Sequence, residues 1–182
     1  MLFRSIRQTD RDLWSNVISS PSVMPWGAGL CVRREVARAY CDFSDRSSFK
    51  IIDRQGRSLV SGQDVEIGYF ACTLGLGTGI FGGLRLTHLI PKGRIEEEYL
   101  LRMVEGQELS CALLAYKWLG VIPTSPFSLR GFLTFAKTIL LRQKIDRRVY
   151  FANLRASVNA RRIISANQNK SESQRAEKFA QL

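Results

Sequence analysis

Apolar positions along this chain fall into short runs whose spacing changes several times, and each change marks an element. Thr9 in front and Ser19-Ser20-Pro21 behind predict a short helix over 10–18. Pro25-Trp26-Gly27-Ala28-Gly29 reads as a tight small-residue loop leading into an apolar strand at 30–32, with a second short helix at 34–40. Residues 42–56 are polar and basic, a surface loop in which 49–52 pair briefly as a strand. Ser61-Gly62-Gln63-Asp64 is the best helix start in this half, because a serine N-cap with an acid three residues on satisfies amides left open at a helix start. That helix is expected to run to about Leu74 and to end at Gly75.

From 80 to 90 the period becomes two. Leu84, Leu86, His88 and Ile90 share one face of the expected strand, Arg85, Thr87 and Leu89 the other, and Pro91 ends it. Glu96, Glu97 and Glu98 then sit in a first helical turn, against the positive end of the helix dipole. Leu100, Met103 and Val104 form its apolar face, and Gly106 predicts a kink or break before an apolar helix at 108–119. After the Pro123-Thr124-Ser125-Pro126 turn an amphipathic helix is expected over 129–141. The uncharged stretch 67–84 contains six glycines, which suits a helix end, a turn and a strand better than a membrane span.

Composition adds limits. The 182 residues are 45% hydrophobic and 24% charged, with a net charge of +11, as expected of one globular domain or part of one. At this length folding buries roughly 70% of the unfolded surface, so no disulfide framework or structural metal is required. Cys31, Cys41, Cys72 and Cys111 form no CxxC pair, and His88 is the only histidine, which excludes zinc-finger and thioredoxin-like readings. Their apolar neighbours suit buried, reduced thiols in a cytoplasmic protein. Arg4, Arg7, Asp10, Arg11 and Asp12 interrupt the start of the chain before a signal-peptide core can form. Residues 142–182 carry ten Lys or Arg against three acids.

Ser61-Gly62-Gln63-Asp64-Val65-Glu66-Ile67-Gly68-Tyr69, followed by Gly83-Leu84-Arg85-Leu86-Thr87-His88-Leu89-Ile90-Pro91, resembles the second half of family 2 glycosyltransferases with the GT-A fold. Pro25-Trp26-Gly27-Ala28-Gly29-Leu30 is similar to the small-residue segment that precedes that helix in the family. The three motifs occur in the family's order over roughly residues 20–120. The expected fold class is accordingly α/β: the acceptor-side half of a GT-A domain over 1–120, an amphipathic basic helical extension over 121–164 and a polar flexible tail over 165–182.

The resemblance implies inverting transfer of a sugar from a nucleotide-sugar donor to a hydroxyl of an acceptor glycan or lipid-linked sugar. Such a displacement needs a carboxylate to take the hydroxyl proton, and Asp64 stands at the family's base position. The same residue has a second reading as a helix-capping acid. Gln63 replaces an acid common before the base, and Trp26, Gly27, Ala28 and Gly29 with Gln63 are the implied acceptor contacts. Trp26 reads equally as a core aromatic. His88 is the implied ligand of a divalent cation, Mn²⁺ or Mg²⁺, or else a core histidine beside Leu84, Leu86 and Ile90. Lys92 and Arg94, with Arg102, are candidate diphosphate contacts or plain solvated charges.

Asp10-Arg11-Asp12 is the only D-x-D, and it lies in a polar helix start, so it reads as a cap. The donor-binding half that the family places upstream is not recognisable here, which points to a fragment or to a separate chain supplying that half. The rival reading is a non-catalytic basic module that binds anionic membrane or nucleic acid through 129–162. Nucleic acid is not expected, because no RNP-like, KH-like or zinc-finger pattern occurs. The expected location is cytoplasmic, with peripheral attachment to the inner membrane face.

Overall fold

A computed structural model describes residues 9–18, 23–24, 27–51, 54, 56, 58–87, 89–125, 128, 134–135, 137–140 and 142–180, the last ten by backbone alone. Trp26 and His88 lie outside the described residues. The described chain is mostly helical with one small antiparallel sheet, which leaves the α/β class open at the coarse level. It divides into two compact units, Met1–Ser48 with Gln63–Ile90, and Phe49–Gly62 with Pro91–Leu182.

The first unit contains β1 (Leu13–Ser15), α1 (Arg34–Arg46), α2 (Gln63–Thr73) and β2 (Thr78–Ile80). Where a helix is expected over 10–18, the chain bends and then pairs as β1. Thr9 Oγ1 donates to the Arg11 carbonyl at 2.6 Å and Asp12 Oδ1 accepts from the Gly82 N–H at 3.0 Å, so the presumed capping side chains close turns instead. Leu13 then stands opposite Ile80, Trp14 opposite Gly79 and Ser15 opposite Thr78. The expected strand at 30–32 is irregular, and α1 is longer than its predicted 34–40.

Strand structure stops at Ile80, and among the described residues 81–90 are turn or irregular. Among the described residues the alternation at Leu84 and Leu86 has no neighbouring strand to pair with, and those side chains are 69% and 63% exposed. Val36, Tyr40 and Phe43 stand at spacings of four and three on α1; Val36 is buried, and Tyr40 and Phe43 meet Phe70 of α2. The Phe43 and Tyr40 rings lie 5.0 and 5.7 Å from the Phe70 ring, edge-on in the second case. Tyr40 also donates its hydroxyl to Glu66 Oε2 at 3.0 Å, which partners a carboxylate only 3% exposed.

The second unit is built on α3 (Glu97–Leu119) and α4 (Lys144–Ala180). Gly106 does not break α3, which continues as one helix through it. Its role is close approach: a Cβ there would lie 2.5 Å from the Leu59 carbonyl carbon and oxygen. One turn later Ser110, 2% exposed, donates to the Gly106 carbonyl at 2.7 Å and accepts from the Ser61 N–H at 2.9 Å. The 59–61 backbone is thereby fastened to α3. Ser61, expected to cap α2, acts here through its backbone.

Helix α4 turns Ala152, Ala156, Ala160 and Ile164, each at most 1% exposed, inward at intervals of four. Arg148 pairs with Glu97 and Glu98, and Arg155 with Glu105 at 2.9 Å. The nearly constant offset of 50 or 51 residues between partners means that α3 and α4 run in the same direction. Residues 165–180, where a polar tail is expected, continue the same helix. Among the described residues no helix is long and apolar enough to cross a membrane. The cysteines differ from expectation: Cys31, Cys41 and Cys111 are exposed, Cys72 is half-buried, and all four are free. Apolar sequence neighbours do not decide burial on a helix, where adjacent residues face about 100° apart.

Candidate functional site

Asp64 is the second residue of α2 and half-buried. Its Oδ1 accepts from the Val65 N–H at 2.9 Å, within the first turn, and its Oδ2 accepts from the Gly27 N–H at 2.8 Å, 37 residues away. Each carboxylate oxygen has capacity for two hydrogen bonds, so each retains one for an incoming hydroxyl. The capping function and a reactive lone pair therefore coexist on one side chain.

Gly27 opens a turn closed by the Leu30 N–H on its carbonyl at 3.2 Å. Gly29, third in that turn, has φ of +83°, the geometry of a type II turn that glycine adopts without strain. Gly27 is small for another reason. A Cβ there would stand 3.1 Å from Asp64 Oδ2, tighter than ordinary contact, so a side chain would push the carboxylate aside. The sequence thus brings together Asp64, Gly27, Ala28 and Gly29 of the expected site, while Gln63 is exposed at the first position of α2.

Beside this turn is an open hollow of about 860 Å³, lined by 28–33, by one side of α2 and by 76–81 and 84–86. Asp64 is not among the lining residues, although Ala28 and Gly29 of the turn that holds it are. The lining is mostly apolar, and its only charged members are Arg33 and Arg85, both exposed. This hollow is missing from the sequence reading. The signal was available: no Asp or Glu occurs from 67 to 95, while Arg85 is embedded between Leu84 and Leu86.

Lys92 and Arg94 belong to the second unit, in a 3-10 turn at Lys92–Arg94. The Arg94 and Arg102 guanidinium groups stand 6.0 and 5.6 Å from the Tyr99 ring centre, which gives both a local cation–π partner. The implied histidine ligand, His88, and the implied aromatic contact, Trp26, lie outside the described residues. Among the described residues no group of three or more His, Cys, Asp or Glu assembles that could hold Mn²⁺ or Mg²⁺. Asp12 of the D-x-D is engaged by the Gly82 amide, and Asp10 is exposed. No family model, curated protein or solved structure matches the chain.

Proposed function

We propose that this chain is the acceptor side of an inverting, family 2-like glycosyltransferase of GT-A type, with Asp64 as the general base that takes the proton of the acceptor hydroxyl. The observation that carries the reading is the hydrogen bond from Gly27 to Asp64. It joins two of the motifs on which the resemblance rests, Trp26-Gly27-Ala28-Gly29 and Gly62-Gln63-Asp64, and holds one carboxylate oxygen while leaving it able to accept from an alcohol. The donor half would come from further polypeptide, on this chain or another, and Mn²⁺ or Mg²⁺ would neutralise the leaving diphosphate.

A purely cationic binding module is less well supported. Arg148 and Arg155, inside the basic stretch 129–162, are matched by Glu97, Glu98 and Glu105 of α3, so part of that charge is internal to the unit. The test is product analysis. The chain supplied with a nucleotide-sugar-binding half is incubated with UDP- and GDP-sugars, divalent cation, and glycan or lipid-linked acceptors, and the new anomeric centre is read by NMR. Transfer with inversion is expected; retention, or no transfer from any donor, contradicts the proposal.

A further inference from the structure

We infer that the hollow of the first unit is the seat of an added β-strand: an extended segment of another polypeptide, with apolar and acidic side chains in alternation, pairs there with the free edge of β2. The inference stands apart from the transferase reading and makes no use of Asp64. Two consecutive runs of chain, 30–33 and 76–81, line the hollow without a gap. Side chains of an extended run alternate between faces, so an unbroken run along a wall means that the backbone itself is presented there. Residues 30–33 contain no turn or bend. Among the described residues Cys31 and Val32 make no hydrogen bond, and Thr78, Gly79 and Ile80 make none beyond their ladder with β1. The hollow is thus bordered by two backbones with donors and acceptors to spare.

The edge of β2 is also unguarded. Proteins protect a free edge with lysine, proline or a bulge, whereas Gly77-Thr78-Gly79-Ile80 carries neither charge nor proline. Two paired strands of three residues are marginal by themselves, and a third strand is what a sheet of this size needs.

The side chains around the seat select its occupant. Trp14, Leu84, Leu86 and Phe81 line it and are 72%, 69%, 63% and 47% exposed, an apolar cluster of the kind that a partner covers. Arg33 and Arg85 are the only charged residues of the lining, and neither has an ion-pair partner among the described residues. No carboxylate occurs from 67 to 95, so an acidic strand meets attraction without repulsion along this wall. A second copy would bring two more arginines to the same interface, and residues 1–8 of the chain carry Arg4 and Arg7 with no acid. Charge therefore favours a foreign, acidic strand over either. In strand addition the main-chain hydrogen bonds supply affinity, and the alternate side chains supply specificity.

The probe is a blocked hexapeptide of alternating valine and glutamate, titrated calorimetrically into the full chain. Its controls are the valine–lysine peptide, which reverses the charge, and the valine–glutamate peptide N-methylated throughout, which keeps the side chains and loses every amide donor. Saturable binding of the first is expected, tighter than either control by about tenfold or more. Arg85→Glu, at an exposed position, should abolish the preference for glutamate, and Arg33→Glu combined with it should turn the preference towards lysine. Asp64→Asn should bind unchanged, so that failure of the base reading and failure of this one are told apart. Circular dichroism of each variant establishes that it is folded. No saturable binding, binding of either control within a few-fold of the probe, or a preference untouched by Arg85→Glu would overturn the inference. A dimer in sedimentation equilibrium that excludes the peptide would give the seat to a second copy and overturn it equally.

Discussion

The Gly27 backbone N–H donates to Asp64 Oδ2 at 2.8 Å, and a Cβ on Gly27 would sit 3.1 Å from that same oxygen. One glycine therefore both supplies the hydrogen bond and clears the space for it. Gly27→Ala should keep the chain folded, displace the carboxylate and lower transfer without abolishing donor binding. Gly29→Ala acts differently, forcing a side chain into φ of +83°, and should cost about 1–2 kcal/mol of stability in urea unfolding. A Gly29→Ala chain as stable as its parent would show that the turn relaxes.

Gly106 and Ser110 fasten the 59–61 backbone to α3 through packing and a shared hydroxyl. Ser110→Ala should cost about 1–3 kcal/mol, because the Ser61 N–H loses its acceptor. Gly106→Ala should cost more, since the clash is with backbone and cannot be relieved by a rotamer change. Urea unfolding of both variants checks the order.

Along α4, packing should outweigh charge. Ala156 is wholly buried, and Ala156→Leu should overpack the helix pair by about 1–3 kcal/mol. Arg155→Ala removes a largely exposed ion pair with Glu105 and should cost no more than about 1 kcal/mol. Thermal unfolding of parent and both variants at low and high salt separates the effects, with only the cost of the arginine substitution, relative to the parent, expected to shrink as salt rises.

Burial pushes the Cys72 thiol above its ordinary value of 9.0, offset in part by a backbone hydrogen bond. As pH rises through that value the unfolded chain loses the thiol proton and the folded chain keeps it, so unfolding releases a proton. The stability due to this thiol is thus fully present below about pH 9 and is lost as pH climbs toward the folded value. Cys72→Ser should flatten the alkaline fall of the unfolding midpoint; an unchanged profile would count against the burial effect.

Local signals that depend on one stretch of chain were legible. Helices α1 and α2 and the first-turn acids of α3 follow from apolar spacing, capping signals and the terminal Gly75, whereas the Gly27–Asp64 contact, 37 residues apart, was expected only through the resemblance. What escaped the sequence depends on partners far along the chain. Thr9 and Asp12 carry helix-cap signals but are used by turns around Arg11 and Gly82, and the alternation at Leu84 and Leu86 finds no strand to pair with among the described residues. Gly106 looks like a helix breaker until the Leu59 backbone is placed on it. The hollow escaped because its wall is assembled from 28–33, α2 and 76–86, segments that become neighbours only through folding.

The central claim is that Asp64 takes a proton, and Asp64→Asn addresses it most directly. Asparagine preserves the shape but has one acceptor oxygen for the two N–H groups that Asp64 serves, so the Gly27 contact can persist only with the Val65 N–H given up, a local cost of about 1–3 kcal/mol that urea unfolding of the variant measures. In the chain supplied with a donor half, the initial rate of sugar transfer is compared between parent and variant. General-base loss predicts a fall of about 10² to 10⁴ at unchanged donor binding. Transfer by the variant within a few-fold of the parent would mean that Asp64 does no more than cap α2.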